Sequence, residues 1–312
     1  MNAPQLRNIA VVLATSFAFA ACDNTVSVSD TALVQVLLTD APSDYIGEAF
    51  VDIGAVELLP SGDGERIVLS EDGTDGPINL LDLQGLTTEV LADLEIPSGT
   101  YHQLRLFIES ASVTLADGYE FRAGGNQGDL RVPSGASSGL KLKLRSGDED
   151  AEGEGEAEEG EEESGGIELA GGETVLVVDF DVNQSFRIQG NPNTPAGING
   201  VSFKPTLRVV VSDIAASIGG TVSTALADTN LEGLVVMAET VNPDPGDTEF
   251  QTQTATALTD ATGAYTLNFL APGTYNVTVE TPDGLTTTPA SVEVVVEASG
   301  DVTGVDFEIV AG

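Results

Sequence analysis

Short runs of Val, Ile, Leu and Thr recur along most of the chain, and Gly, Pro, Asp and Asn separate them. Such runs, bounded by turn-forming residues, are typical of β-strands. Within residues 103–108, Leu104, Leu106 and Ile108 alternate with the other three side chains, which predicts a half-buried strand. The pattern predicts an all-β protein made of two β-sandwich-like domains in tandem.

The apolar runs define the predicted elements of both domains. A turn-rich loop is predicted at residues 39–45, and residues 86–94 form the one predicted helix, which stops before Ile96-Pro97. In the second domain Tyr275, Val277 and Val279 alternate with polar residues, as in a strand with one wet face. The predicted strands of the first domain are residues 32–38, 49–59, 101–110, 140–144, 175–182 and 203–211, and those of the second include 218–222 and 233–238.

Residues 1–21 have the layout of a secretory signal: a basic residue, Arg7, precedes a short apolar core that ends in small residues. The apolar core is shorter than the roughly 20 residues that a membrane span needs. The last residues, Phe19-Ala20-Ala21-Cys22, resemble the lipobox of bacterial lipoproteins, with Phe19 in place of the usual Leu. The resemblance implies cleavage before Cys22 and a lipid on that cysteine.

Cys22 is the only cysteine in the chain, so no disulfide can form within it. Lipidation explains an odd cysteine in an exported protein, whereas an ordinary signal peptide cut near Ala21 would leave Cys22 incidental. The prediction is a protein of the cell envelope, anchored to the inner or outer membrane, with residues 22–30 as a polar tether. No later stretch is long and apolar enough to span a membrane.

The formal net charge is −39, from 11 basic and 50 acidic residues. Nucleic acid is therefore excluded as a partner, since binding it needs a basic footprint. Residues 148–163 alone carry 11 acids. We interpret residues 147–166 as a disordered insertion in a loop, because their composition buries too little apolar surface to order. The alternative is a low-affinity calcium sink.

Six phrases of the first domain resemble the DUF4382 family of bacterial lipoprotein domains, whose function is unknown. The resemblance covers nearly all of residues 31–213 and implies β structure and export, but no activity. In order, the phrases are Leu38-Thr39-Asp40-Ala41-Pro42, Ile78-Asn79-Leu80-Leu81-Asp82-Leu83, Ile96-Pro97-Ser98-Gly99-Thr100-Tyr101, Gly139-Leu140-Lys141-Leu142, Val178-Asp179-Phe180-Asp181-Val182 and Phe203-Lys204-Pro205-Thr206-Leu207-Arg208.

Residues 217–312 carry Thr-Asp-x-x-Gly-x-Tyr, which ends at Tyr265, and then Leu-x-Pro-Gly-x-Tyr, which ends at Tyr275. These motifs resemble carboxypeptidase regulatory-like domains, which implies a seven-stranded sandwich of the transthyretin type with a carbohydrate-binding-like fold. Gly263 and Gly273 can supply turn conformations, and the two tyrosines can fill the core. Such residues indicate the fold and not an activity.

Candidate catalytic chemistry is sparse. His102 is the only histidine, which rules out a zinc site with several histidines, and no Gly-x-Ser-x-Gly elbow is present. We interpret His102 as an ordinary strand histidine. Because Cys22 would carry the lipid, a Cys–His nucleophile pair is excluded. The sequence predicts no cofactor, no catalytic residue and no firm metal ligand.

Two weaker hypotheses concern ligands. Asp40 and Asp44 in the predicted loop, with Asp179 and Asp181 in a late strand, have the hard oxygens that suit weak calcium binding. The alternatives are that Asp40 and Asp44 form turns through their own side chains, and that Asp179 and Asp181 lie on a solvent-exposed face. Tryptophan is absent, so sugar stacking would fall to residues such as Tyr119 and Phe121.

Three functional classes remain. The predicted function is a non-catalytic envelope module, anchored through Cys22, that binds an unknown glycan or protein. A structural spacer or a calcium-stabilised surface adhesin is the alternative, and an enzyme is the third. An exposed concave aromatic patch would favour a glycan, a smooth acidic surface a spacer, and a pocket around His102 with buried acids an enzyme.

Overall fold

A computed structural model describes residues 31–41, 43, 45–84, 87–115, 120–123, 129–131, 139–144, 166–190, 198–227, 229–242 and 252–312. The predicted signal and tether, Cys22, Asp44, Tyr119 and all but the last residue of the acidic insertion lie outside them. The described chain is built almost wholly of strands, which confirms the all-β prediction. In these ranges no helix has the length and apolarity needed to cross a membrane.

The described residues of the first domain form fourteen strands and a one-turn helix. They are β1 Thr31–Ala41, β2 Ile46–Pro60, β3 Ile67–Ser70, β4 Ile78–Asn79, β5 Glu89–Pro97, β6 Gly99–Leu115, β7 Glu120–Ala123, β8 Asp129–Arg131, β9 Leu140–Lys143, β10 Ile167–Leu169, β11 Glu173–Asp181, α1 Val182–Ser185, β12 Phe186–Gly190, β13 Ile198–Phe203 and β14 Leu207–Val211. The described residues also include short 3-10 turns at Leu80–Leu83 in this domain and at Ser212–Ile214 after β14.

Two sheets form this domain. The smaller sheet has the order β14-β11-β1-β5, with β1 parallel to β11 and antiparallel to β5. In the larger sheet the long strands β2 and β6 pair along nearly their whole length, and β9 and β10 add to the other edge of β6. Several β2–β6 register shifts mark bulges that bend this pair.

The core lies between the two sheets. Leu104, Leu106 and Ile108 are buried in it, which confirms the alternation predicted for this strand. Phe203 stacks on Phe186, with ring centroids 4.8 Å apart, and also faces Phe180. Each such large side chain contributes roughly 1.5–3 kcal/mol when fully buried, so packing stabilises this domain without any cross-link.

The predicted helix at residues 86–94 is wrong. Most of that segment lies in β5, which pairs antiparallel with β1 over Thr31–Leu38 and buries Leu91 and Ala92. A short apolar run carries no clear period, and here the backbone groups of β1 and β5 satisfy each other across the sheet. Tertiary pairing therefore overrides the weak helical preference.

Two predicted strand boundaries also change. The single strand predicted at residues 203–211 is two strands, β13 and β14, separated by Lys204, Pro205 and Thr206. Pro205 cannot donate a ladder hydrogen bond, so the ladder is interrupted there. The strand predicted at residues 175–182 ends at Asp181, whose side chain caps α1 by accepting a hydrogen bond from the Gln184 backbone N–H at 2.8 Å.

The second domain packs two sheets around its own core. Their orders are β18-β15-β23-β20, with β22 also paired to β15, and β17-β16-β19-β21. The strands are β15 Ala216–Thr224, β16 Val235–Thr240, β17 Thr254–Leu258, β18 Ala264–Leu270, β19 Gly273–Val279, β20 Leu285–Thr288, β21 Val292–Val296, β22 Val302–Thr303 and β23 Phe307–Ala311.

The motif residues of this domain hold its core and its turns. Tyr265 and Tyr275 are buried in the core as predicted, and each hydroxyl donates to a backbone carbonyl, of Val305 and Ala271 respectively. Gly263 has a φ of 81°, which favours glycine. Asp260 shapes the same turn, and the hydrogen bonds from Thr262 to its carboxylate lower its pKa.

Candidate functional site

A cavity of about 250 Å³ lies where the two domains meet. The first domain lines it with residues of β1, β11 and β14, and the second domain with residues of β17 and β18. Strand alternation explains why charges gather here. In β11, Phe180 points into the core of the first domain, so Asp179 and Asp181 on either side of it point the opposite way, towards the second domain.

Arg208 is the central side chain of this junction. From β14 its guanidinium donates to the Asp179 carboxylate on the neighbouring strand, and both residues are at least nine-tenths buried. The same guanidinium reaches across to the second domain. It donates to the backbone carbonyls of Phe269 and of Asn268, the latter at 2.7 Å. One arginine therefore links a carboxylate of the first domain to the main chain of the second.

Phe269 adopts a strained backbone conformation at this contact. Its φ is 53°, in the left-handed region that a bulky side chain rarely occupies. Two neighbouring carbonyls, those of Asn268 and Phe269, both accept hydrogen bonds from Arg208. Such strain persists only where surrounding contacts over-determine the conformation, and these charge-assisted bonds supply such contacts.

Asp181 makes the second polar link between the domains. Its side chain is 2% exposed and accepts a 3.4 Å hydrogen bond from the Thr256 hydroxyl of β17. Burial raises the pKa of Asp181 to about 7, and the charge of Asp179 adds to the rise. The hydrogen bonds from Gln184 and Thr256 and the charge of Arg208 oppose it. Asp181 thus changes its charge near neutral pH.

Asp40 lies beside these residues, in a strand and not in the loop that the sequence predicted at residues 39–45. It belongs to β1, pairs in register with Phe180, and accepts a hydrogen bond from the Val182 N–H at 3.3 Å. The turn role expected for Asp40 is therefore wrong, since its carboxylate binds the start of α1. The solvent-exposed face expected for Asp179 and Asp181 is also wrong, because the second domain covers it.

The geometry bears on the calcium hypothesis. Within the described ranges no group of three or more His, Cys, Asp or Glu side chains is placed to hold a metal ion. Arg208 already neutralises Asp179, and a guanidinium in this position repels a cation. Asp44, the fourth predicted ligand, lies outside the described residues, so calcium binding stays a prediction.

The other candidate residues do not meet at the junction. His102 lies in β6, half-buried, and lines neither this cavity nor the smaller groove described below. Phe121, a candidate for sugar stacking, is buried in the first core, and its proposed companion Tyr119 lies outside the described residues. Every aromatic ring in the described ranges is buried or half-buried.

Sequence reasoning missed Arg208, Thr256 and Phe269. The sequence did contain a signal for Arg208, because it is the single charged residue in a strand of apolar residues. A cation that is buried at such a position needs an anionic partner. Thr256 and Phe269 gave no comparable signal, since a threonine in a strand and a phenylalanine before a turn are ordinary. Their roles arise only from the docking of one domain on the other.

The fold and junction define a tandem β-domain protein whose domains meet through buried polar contacts. A family model described as "Domain of unknown function (DUF4382)" matches residues 31–195, and the chain belongs to this family. A carboxypeptidase regulatory-like domain follows at residues 217–309. The two domain resemblances expected from the sequence are therefore confirmed. No curated protein matches the chain.

The solved structures that match this chain are only distantly similar to it. A type II cohesin–X-dockerin complex from Acetivibrio cellulolyticus is 19% identical, with 31% of this chain and 58% of that chain covered and a TM-score of 0.21. The Bacillus anthracis TIE protein is 11% identical (90% and 34% covered, TM-score 0.22). The minor pilin GBS52 of Streptococcus agalactiae is 12% identical (89% and 97%, TM-score 0.23).

The chain spans 58% and 34% of the length of the first two of these proteins. At these identities and TM-scores no function is transferred from any of the three.

Proposed function

We propose that this protein is a lipid-anchored module of the bacterial cell envelope, whose two domains act as one rigid, non-catalytic unit that binds a partner. The observation that carries the rigid two-domain unit is the junction itself, whereas the proposed anchor rests on the signal pattern that ends at Cys22. Arg208 engages Asp179 and the carbonyls of the second domain, and Asp181 accepts a hydrogen bond from Thr256, so these polar contacts hold the domains together.

The same contacts argue against catalysis at the junction. A general base or nucleophile must reach a substrate atom, but Asp179 and Asp181 are buried and already bonded within the protein. Cysteine and histidine are absent from the lining of the cavity among the described residues. An arginine that bridges two domains is a structural element here.

A protein partner is favoured over a stacked sugar. Sugar platforms use exposed aromatic rings, and in the portion of the chain that the structure describes the exposed large apolar side chains are all Leu and Val. The rigid junction also suits a spacer, the alternative role, because a spacer must keep its two ends at a fixed distance. Selective binding of a ligand to its surface would distinguish a binding module from a spacer.

The predicted lipid anchor gives the first test. We expect the full chain, produced in a bacterial host fed an alkyne fatty acid, to acquire the label and partition with membranes. Cys22→Ser should abolish labelling, because the thioether needs the only thiol in the chain. It should leave the fold of the two domains unchanged, since both hydrophobic cores are formed by residues 32 to 309.

A matched control separates lipid from general membrane affinity. Ser27→Ala, in the predicted tether, changes a nearby hydroxyl without touching the thiol and should label like the natural chain. Equal fatty-acid labelling of the natural chain and Cys22→Ser would refute the anchor.

A further inference from the structure

A smaller groove, with a volume of about 100 Å³, also lies between the domains and shares Arg208 with the junction cavity. Three segments line it: residues 141–143 of β9, residues 206–209 at β14, and residues 252–254 at the start of β17. A typical small-molecule pocket is roughly 300–1,000 Å³, so this groove admits a side chain or a small charged group and not a whole ligand.

The charge of this groove is opposite to that of the protein. Lys141 and Lys143 supply its positive charge, since the third cation of the lining, Arg208, is already paired with Asp179, and no Asp or Glu is among its described lining residues. The whole chain has only 11 basic residues against 50 acidic ones, so this concentration of cations is exceptional. Both lysines are exposed, whereas Leu142 between them is buried. The two ammonium groups therefore share one face of β9.

Arg208 contributes a further unsatisfied donor. Its side chain is only 8% exposed, and its Nε–H has no hydrogen-bond acceptor among the residues that the structure describes. A buried donor without an acceptor is energetically unfavourable.

Each strand at the groove also has an unpaired edge in the described structure. β9 pairs only with β6, β14 is the last strand of its sheet beside β11, and β17 is the last strand of its sheet beside β16. An unpaired edge presents backbone N–H and C=O groups that can bind another extended chain. The groove therefore offers both cations and main-chain partners.

We propose that a strand edge beside the groove binds an extended acidic segment of a partner polypeptide by strand addition, so that only acidic side chains of the segment enter the groove. The main chain of the segment pairs with a free strand edge, and its acidic side chains meet the lysines. Lys141 and Lys143 are two residues apart on a strand, so they are separated by about 6.6–6.8 Å along it. Alternate side chains of an extended segment have the same spacing, which places one carboxylate opposite each ammonium group.

This inference rests on the proposed interaction role but not on the lipid anchor. If the chain acquires its lipid and yet binds no acidic peptide, only the groove assignment fails. If the lipid is absent and the peptide binds, the proposed location fails and the groove assignment holds.

The test is fluorescence anisotropy with the full chain in mild detergent and a labelled peptide of alternating glutamate and valine. We expect saturable binding that weakens as salt screens the exposed charges. Lys141→Glu with Lys143→Glu should weaken binding by about tenfold or more, since two attractive pairs become repulsive. Arg187→Glu with Lys204→Glu, two exposed cations outside the groove, makes the same charge change and should bind as before.

A peptide with N-methyl groups on alternate residues separates strand addition from charge attraction alone. It keeps every carboxylate but loses main-chain donors, and we expect it to bind about tenfold more weakly or worse. Binding unchanged by the Lys141 and Lys143 reversals would overturn the proposal. Unchanged binding of the N-methylated peptide, or equal competition by a uronic-acid polysaccharide, would overturn the assignment to a polypeptide.

Discussion

Arg208→Met lowers the free energy of unfolding by about 3–5 kcal/mol, because it leaves the buried carboxylate of Asp179 without its cation. The carbonyls of Asn268 and Phe269 lose their donor in the same step, so the contact between the domains weakens as well. Methionine keeps much of the aliphatic stem and its packing. Urea unfolding of the full chain at neutral pH measures the loss.

A double variant separates the buried charge from the domain contact. Asp179→Leu with Arg208→Met removes both charges and should recover much of the lost stability, since an apolar pair of similar volume is often tolerated in place of a buried ion pair. Recovery should be incomplete, because the two carbonyls of the second domain still lack their donor. A loss below about 1 kcal/mol for Arg208→Met alone, as expected of an exposed pair, would contradict the buried junction.

Asp181→Asn stabilises the protein on the order of 4 kcal/mol above pH 7 and has little effect below pH about 4. The carboxyl pKa rises from about 3.9 in an unfolded chain to about 7 in the folded one, through burial and the charge of Asp179. The folded state therefore holds a proton that the unfolded state releases between these values. The contribution of the Asp181 carboxyl to the free energy of unfolding is fully present below the lower pKa, and it is lost as the pH rises through the upper one.

Asparagine removes this titration and keeps an oxygen for the Gln184 N–H. The natural chain and Asp181→Asn should therefore diverge in melting temperature between pH about 4 and 7 and then run parallel. Asp213→Asn, at an exposed aspartate, is the matched control and should follow the natural chain throughout. A constant difference between the natural chain and Asp181→Asn across this range would show that Asp181 does not titrate there.

Alternation and turn residues were enough to predict most of the fold. Leu104 and its alternating neighbours sit as expected because one face of β6 meets the core, and Tyr265 and Tyr275 fill the second core. The prediction failed at residues 86–94, where a short apolar run had no clear period and the partner strand β1 decided the structure. Pairing across a sheet is not encoded in any local pattern.

The candidate site was only half visible in the sequence. The parity of Asp179 and Asp181 placed them on one face of a strand, but the pattern could not tell whether solvent or another domain covers it. Arg208 lies 29 residues from Asp179 and 61 from Phe269, and contacts at such separations depend on how the domains dock. The interdomain role of these acids therefore needed the structure.

The most direct test of the rigid two-domain unit is differential scanning calorimetry of the full chain in mild detergent, beside Arg208→Met. We expect the natural chain to unfold in one cooperative transition, with a calorimetric enthalpy equal to the van't Hoff enthalpy. Arg208→Met should separate this into two transitions, one for each hydrophobic core. Two independent transitions in the natural chain, unchanged in position by Arg208→Met, would contradict the account.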